Sequence, residues 1–337
     1  MGTINSEKKI TIGDIADALG VSKTTVSRAI SGKGRIGGET RDKIMQYIEE
    51  HNYRPNVIAK GLATSRTYNI GLTMPGDYDL IDLPFFQKCM MGVSEMASSM
   101  DYDVIISMVS ANDISQLERM INNHKVDGII LTRTLVSDPP AEFLKEHDIP
   151  FVAIGTSSDK QITQIDNDHR GACKELTSIL LSRGVGKMAL IGGNRSHVVT
   201  QKRLQGYFDA FVDRGMTVDN DLIYLDIESK IMTDKIVEEL LDKKVECILC
   251  MDDSICRNVL NKLKKSQIRV PQDIKIASFY NSSMLENNIP AITSLQFDVM
   301  RLGVVSCRLL LEKLEGKEVP QRTLLGYEVS MKESTQV

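Results

Sequence analysis

Apolar residues recur at helical spacing over the first fifty positions, then in short strand-like runs separated by amphipathic stretches. Ile12, Ile15, Ala16 and Leu19 share one helical face, and Thr11-x-x-Asp14 at its start is a capping-box pattern. Gly20 ends this helix, where a left-handed backbone costs least. Ser22 is placed to cap a second helix, Lys23 to Ile30, with Val26 and Ile30 facing inward. Such a short turn between two short helices predicts a helix-turn-helix. Ala16 permits a close crossing, and Val26 fills the gap between the pair. A third helix, Glu39 to His51, covers them with Ile44, Tyr47 and Ile48, and is capped at or near Thr40. Tyr53-Arg54-Pro55-Asn56 then breaks the helix, because proline disfavours helix in the residue before it.

From Tyr68 onward strand and helix alternate. The apolar runs Ile70–Met74, Val104–Ser107, Gly128–Thr132 and Phe151–Gly155 enclose amphipathic Phe86–Ser99, Ile114–His124 and Pro140–His147. The pattern repeats: runs at Met188–Ile191, Leu222–Leu225, Cys247–Met251 and Ile274–Phe279 alternate with helices at Gly171–Arg183, Thr200–Arg214, Met232–Lys243 and Ser254–Ser266. Two doubly wound parallel-sheet units are expected, with a cleft between them and ligands at the carboxyl ends of the strands.

Composition and charge sharpen this. With 337 residues, 42% hydrophobic and 26% charged, the chain is an ordinary multidomain globular protein and not a disordered one. No apolar run is long enough to span a membrane. The segment Met1 to Ile12 lacks the apolar core of a signal peptide, so a cytoplasmic location is expected. The whole chain holds 41 Lys/Arg and 45 Asp/Glu; residues 1–66 hold 11 and 7 of them, leaving a head at +4 on a body at −8. A basic head on an acidic body points the head alone at a polyanion. The six cysteines fit buried thiols in a reducing compartment, and Cys247-x-x-Cys250 lies inside an apolar run with no facing pair. The five His have no metal-type spacing, and neither phosphate-loop glycine motif nor a nucleophile elbow occurs. No catalysis, cofactor or metal is expected.

The outer side of the second helix reads Lys23, Thr24, Thr25, Ser27, Arg28, a row of donors. Set into a major groove, Lys23 and Thr24 reach base edges and Arg28 can grip a guanine through two hydrogen bonds. Thr25 and Ser27 suit phosphate oxygens, and Thr11 and Ser22 belong to the same surface. At this point a resemblance becomes specific. The string ITIGDIADALGVSKTTVSRAISGKGRIGGETRDKI, followed by YRPNVIAKGLAT, resembles the lactose-repressor (LacI/GalR) family of transcription regulators, with Gly-Val-Ser-x-x-Thr-Val-Ser-Arg unbroken from Gly20 to Arg28. The resemblance implies that the stretch 57–64, too short to be a stable helix alone, forms a hinge helix that pairs with a second copy in the minor groove. It places Leu62 as the wedge in a base step, with Asn56 and Ala59 beside it.

The resemblance also implies a fold: an all-α helix-turn-helix head on a bilobed, periplasmic-binding-protein-like α/β body with three crossovers, near residues 161–166, 292–297 and 320–324. The expected domains are 1–56 for DNA, 57–66 for the hinge, 67–163 with 297–322 for one effector lobe, and 164–296 with 323–337 for the other. Candidate effector contacts lie near strand ends: Phe85 and Phe86 for stacking, Asp166 after a strand as an acceptor, and His197 and Arg203 after the strand ending Gly192-Gly193. Arg203 matches the family's ligand-contacting arginine by motif position; as a planar fork it can hold vicinal hydroxyls or a carboxylate. Two departures affect the ligand. Asp252-Asp253 stands where the family commonly has Asn-Asp. Ser278-Phe279-Tyr280-Asn281 stands where it commonly has Gly-Phe-Asp-Asp, so Tyr280 adds a stacking face and removes an acceptor. A sugar, glycoside or disaccharide effector is expected.

Apolar Phe86–Met96, with Met90, Met91 and Val93, and Leu72–Leu83 are candidates for an isologous contact. No leucine-heptad tail follows Met331, so a homodimer is expected rather than a tethered tetramer. The function implied is a repressor that binds a palindromic operator in double-stranded DNA and is controlled by the effector. The alternative is a cytosolic sugar-binding module whose head docks a protein.

Overall fold

The computed structural model describes residues 10–31, 34–51, 53, 61, 64–77, 84–227 and 229–336. The chain divides into two compact units, Met1–Thr67 and Tyr68–Val337.

In the head, α1 (Ile12–Leu19), α2 (Lys23–Ser31) and α3 (Gly38–Glu50) bury one small core: Ile15, Ala16, Val26, Ala29, Ile44 and Tyr53. The capping box forms as its residues dictate. The Thr11 hydroxyl accepts from the Asp14 amide at 3.3 Å, and the Asp14 carboxylate accepts from the Thr11 amide at 2.7 Å. Gly20 turns the chain at φ 64°, and the next amide, Val21 N, returns to the Ala16 carbonyl at 3.0 Å. Ser22 starts α2 by accepting from the Thr25 amide at 3.1 Å. Helix α3 starts one residue earlier than its periodicity predicts. Gly37 precedes it without a side-chain cap, so Thr40 lies within the first turn. Asn56, Ala59 and Leu62, on which the hinge reading rests, lie outside the described residues.

The body holds two six-stranded sheets among its described residues. The first orders β11 (Arg322–Leu325), β5 (Thr163–Asn167), β4 (Phe151–Ile154), β3 (Gly128–Leu131), β1 (Asn69–Pro75) and β2 (Asp103–Val109), all parallel. The second orders β12 (Glu328–Ser330), β10 (Thr293–Gln296), β9 (Lys275–Ser278), β8 (Cys247–Cys250), β6 (Met188–Ile191) and β7 (Ile223–Tyr224); only β12 runs antiparallel. Each sheet reverses its winding once, between β1 and β3 and between β6 and β8. Such switch points leave a crevice at the carboxyl ends of the strands. Both β5 and β11 belong wholly to the first sheet. The lobes therefore exchange chain a few residues later than the boundaries 163/164 and 322/323 drawn from the sequence.

Helices α4 (Pro84–Ser99), α5 (Ser115–Asn122) and α6 (Pro139–Glu146) follow β1, β2 and β3. In the second lobe α7 (His169–Ser182), α8 (Val198–Val212), α9 (Lys230–Asp242), α10 (Asp253–Lys265) and the short α11 (Ser283–Glu286) flank the second sheet. The chain then returns to the first lobe as α12 (Val299–Leu314). Helices α4 and α12 are in contact backbone to backbone. A Cβ on Gly92 would fall 2.1 Å from the Met300 carbonyl oxygen, and one on Gly303 would fall 2.2 Å from that of Cys89. This contact takes up part of the run read as a self-association face, and residues 78–83 of the other candidate run lie outside the described residues. Val93 is wholly buried, Met90 is half-buried and Leu72 lies inside β1; only Met91 is exposed. The apolar run is core because α12, not anticipated from the sequence, covers it. Gly303→Ala is expected to lower stability by about 1–3 kcal/mol through overpacking. A fall in the urea midpoint checks this, and an unchanged midpoint would mean the helices separate freely.

All six cysteines are buried thiols, and Cys247 and Cys250 begin and end β8, packed into different core clusters on opposite faces of its sheet. Among the described residues no helix is long and apolar enough to cross a membrane, and no cluster of three metal-ligating side chains occurs.

Candidate functional site: a basic helix face and an interlobe cavity

Burial of Val26 and Ala29 fixes which side of α2 faces out. Ser22, Lys23, Thr24, Ser27 and Arg28 are exposed and Thr25 is half-buried. The Arg28 stem lies against the Gly34 backbone, where a Cβ would meet its Cδ at 3.1 Å. The Ser22 and Thr25 hydroxyls bond each other at 2.9 Å, so part of their capacity is spent on starting the helix. Thr11 is likewise committed to its capping box. Lys23, Thr24, Ser27 and Arg28 form an outward row of donor side chains with no acid among them, a surface suited to base edges and phosphates.

A cavity of about 360 Å³ lies between the lobes, within the range of small-molecule sites. Its walls are the carboxyl ends of strands from both sheets: Thr132–Thr134 after β3, Gly155 after β4, Asp166 in β5, Gly193 and Asn194 after β6, Asp252–Ile255 after β8 and Tyr280 after β9. All seven candidates from the sequence meet here, namely Phe85, Phe86, Asp166, His197, Arg203, Asp252 and Tyr280.

One wall is aromatic. Phe85 and Phe86 lie in the first turn of α4, with their rings edge to face at 5.2 Å. Tyr280 reaches from the second sheet into the first lobe's core. It meets Phe85 edge-on at 6.0 Å and stacks parallel to Phe297 at 6.5 Å. Burial raises its phenol above the ordinary value, so it stays neutral.

The opposite wall is polar. Arg203, in the second turn of α8, donates from Nη1 to the Met251 carbonyl at 2.5 Å. Among the described residues its Nε has no hydrogen-bond partner, and neither do His169 Nδ1 and Asp253 Oδ2. Asp252 caps α10 by accepting from the Ile255 amide at 2.8 Å. Burial raises the carboxyls of both Asp252 and Asp253, and the Arg203 charge pulls both back down. Asp166 does not follow a strand as its sequence position suggests; it lies inside β5, whose TQIDN has only Ile165 as an apolar residue and so gives no apolar run. It accepts from the Thr156 hydroxyl at 3.0 Å and the Asn167 amide at 2.8 Å, and His169 Nε2 lies 3.5 Å away. Burial pushes its carboxyl up to about 6, while burial and then Arg203 hold His169 well below its ordinary value. Arg133 pairs with Asp77 at 2.8 Å. Arg133, His169, Asn194 and Asp253 were not among the sequence candidates. The doublet Asp252-Asp253 was the one local signal, and the rest are brought in by topology.

The raised Asp166 carboxyl makes a signed prediction. A group whose pKa is higher in the folded state favours folding while protonated. That contribution is full below about pH 4 and is lost as pH rises through about 6. Asp166→Asn removes the dependence. The variant should gain stability relative to the parent between pH 4 and 7, by about 1–3 kcal/mol. His169 contributes with the opposite sign but is common to both proteins. Urea unfolding at both pH values checks this, and a constant difference would mean that Asp166 ionises freely.

The comparisons agree with this layout. Residues 67–328 match the model of periplasmic binding proteins and the sugar-binding domain of the LacI family, and residues 11–56 match that of bacterial regulatory proteins of the lacI family. The chain belongs to the LacI family. As a LacI-family protein it is a DNA-binding transcriptional regulator whose body is of the sugar-binding type. It is 30% identical to catabolite control protein A of Staphylococcus xylosus, over 94% of this chain and 96% of that protein. It is also 30% identical to the transcriptional regulator MalR of Streptococcus pneumoniae serotype 4, over 95% and 98%. The solved complex of the transcriptional regulator CelR with cellobiose matches at TM-score 0.74 and 27% identity, covering 96% of this chain and 99% of that one. A lac repressor dimer bound to operator matches in fold at TM-score 0.79 and 21% identity, covering 98% and 100%.

Proposed function

We propose that this LacI-family regulator is a cytoplasmic repressor, not an enzyme, that binds a two-fold symmetric operator as a homodimer and is controlled by a neutral saccharide in the interlobe cavity. The outward row Lys23, Thr24, Ser27, Arg28 carries the DNA part. Thr11, Ser22 and Thr25 add helix-terminal and phosphate contacts, and Asn56, Ala59 and Leu62 supply the minor-groove hinge. The charge balance of the cavity carries the effector part. Arg133 is paired with Asp77, and Arg203 faces Asp166, Asp252 and Asp253, so among the described residues no surplus cation awaits a phosphate. Open donors and an open acceptor opposite an aromatic wall suit a pyranose, whose edge is hydroxyl-rich and whose face is apolar. The cellobiose held by CelR supports a glycoside. The exposed donors on α2 favour DNA over a docked protein as the target of the head.

The test is selection of duplexes from a random library with the full-length protein, followed by titration of the selected duplex with a panel of saccharides. At least one saccharide should change its affinity about fivefold or more, a coupling of roughly 1 kcal/mol. Affinity unmoved by every saccharide, but moved by a phosphorylated or nucleoside ligand, would overturn the neutral-saccharide reading.

A further inference from the structure

We propose that the two lobes are fastened across the rim of the cavity by a backbone clasp, Thr134–Val136 of the first against Ser196–Val198 of the second, that biases the body toward closure. The clasp segments follow β3 and β6, the strands at the two switch points. Val136 N–H donates to the Ser196 carbonyl at 2.9 Å, and Val198 N–H donates to the Thr134 carbonyl at 3.2 Å. Between these bonds Leu135 and His197 oppose each other as an antiparallel pair.

Each half is braced from within its own lobe. The Asp138 carboxylate accepts from the Leu135 amide at 3.0 Å and the Ala141 amide at 3.2 Å. The Asn194 side-chain oxygen accepts from the Ser196 amide at 2.8 Å and its hydroxyl at 2.6 Å. A side-chain layer backs the bridge: Arg133 Nη1 stands 3.5 Å from His197 Nε2. Leu135 is 8% exposed although it sits in a loop, and its side chain shares a small pocket with Thr73, Val109, Leu131 and Pro140 of its own lobe. Separating the lobes must break both backbone bonds together, so the clasp biases the body toward closure. Effector exchange then waits on the clasp opening.

This inference takes its regulatory meaning from the proposed function, but its test needs neither effector nor DNA. Val198 is the first residue of α8, where an amide has no intrahelical partner and proline is well tolerated. His197 before it is extended, at φ −81° and ψ 126°, as a residue preceding proline prefers. Val198→Pro therefore deletes one clasp bond and leaves the helix intact. In hydrogen exchange on the full-length, effector-free protein, the Val136 amide should be protected, and it should exchange at least about tenfold faster in V198P. An unprotected Val136 in the parent, or one unaffected by V198P, would overturn the clasp. The double variant Leu135→Cys/His197→Cys gives a second reading. Residues opposed between two ladder bonds have Cα atoms about 4.5 Å apart, which a disulfide can span. Mild oxidation should cross-link the effector-free protein almost completely. A folded double variant that stays reduced would overturn the clasp.

Discussion

Arg28→Ala is expected to abolish the preference for one base pair in each operator half-site while leaving the folded head intact. Arg28 lies on the outward side of α2 and is not part of the Ile15, Val26, Ile44 core, so its removal leaves that core in place. A guanidinium bound in a fork to guanine is worth about 1–3 kcal/mol of discrimination, or roughly tenfold to a hundredfold per half-site. Thr25→Ala should behave differently. Its hydroxyl is half-buried and tied to Ser22, so its loss weakens the start of α2 and a phosphate contact, reducing affinity for all sequences alike. Fluorescence anisotropy with a panel of single-base-substituted duplexes separates the two patterns. Uniform weakening by both variants would mean that Arg28 touches only the backbone.

Arg203→Met should uncouple the body from its effector. Arg203 is the cation against which Asp166, Asp252 and Asp253 are balanced, and its open Nε is a donor that a ligand hydroxyl can use. Hydrogen bonds to charged groups contribute about 1.5–3 kcal/mol, so saccharide affinity should fall roughly tenfold to a hundredfold. Operator affinity without effector should stay within about twofold, since α2 is untouched. The variant would therefore hold its operator at saccharide concentrations that shift the parent. Titration of both proteins with the saccharide that moves the parent checks this. Equal responses would place the ligand away from Arg203.

The head was legible almost to the residue because its signals are local. Thr11, Asp14, Gly20 and Ser22 each act within four positions, and Val26 and Ile44 mark the only faces that three short helices can bury. The strands β1 to β4 and β6, β8 and β9 were legible as apolar runs because sheets covered on both sides need them. What escaped is what the chain's ends and neighbours decide. β5 has one apolar residue among four polar ones yet is buried, so it gives no apolar run, and Asp166 was read as following a strand rather than lying inside one. β11 and β12 add to the two sheets from a single late segment, and neither carries an apolar run of its own. The return of residues 297–322 to the first lobe was expected, but the helix α12 within it was not, and without it the α4 face reads as an exposed patch. In the cavity, Arg203 and Phe85 could be found because they follow strands. Arg133 and His169 could not, because their roles depend on which strand end faces which across the lobes.

The account stands most directly on α2 entering the major groove. Methylation of guanine N7 in the selected duplex, followed by separation of bound from free molecules, measures this base by base. One guanine in each half-site, the two related by two-fold symmetry, should block the parent protein when methylated and have no further effect on Arg28→Ala. Interference that is absent from both half-sites, or identical for the two proteins, would contradict it.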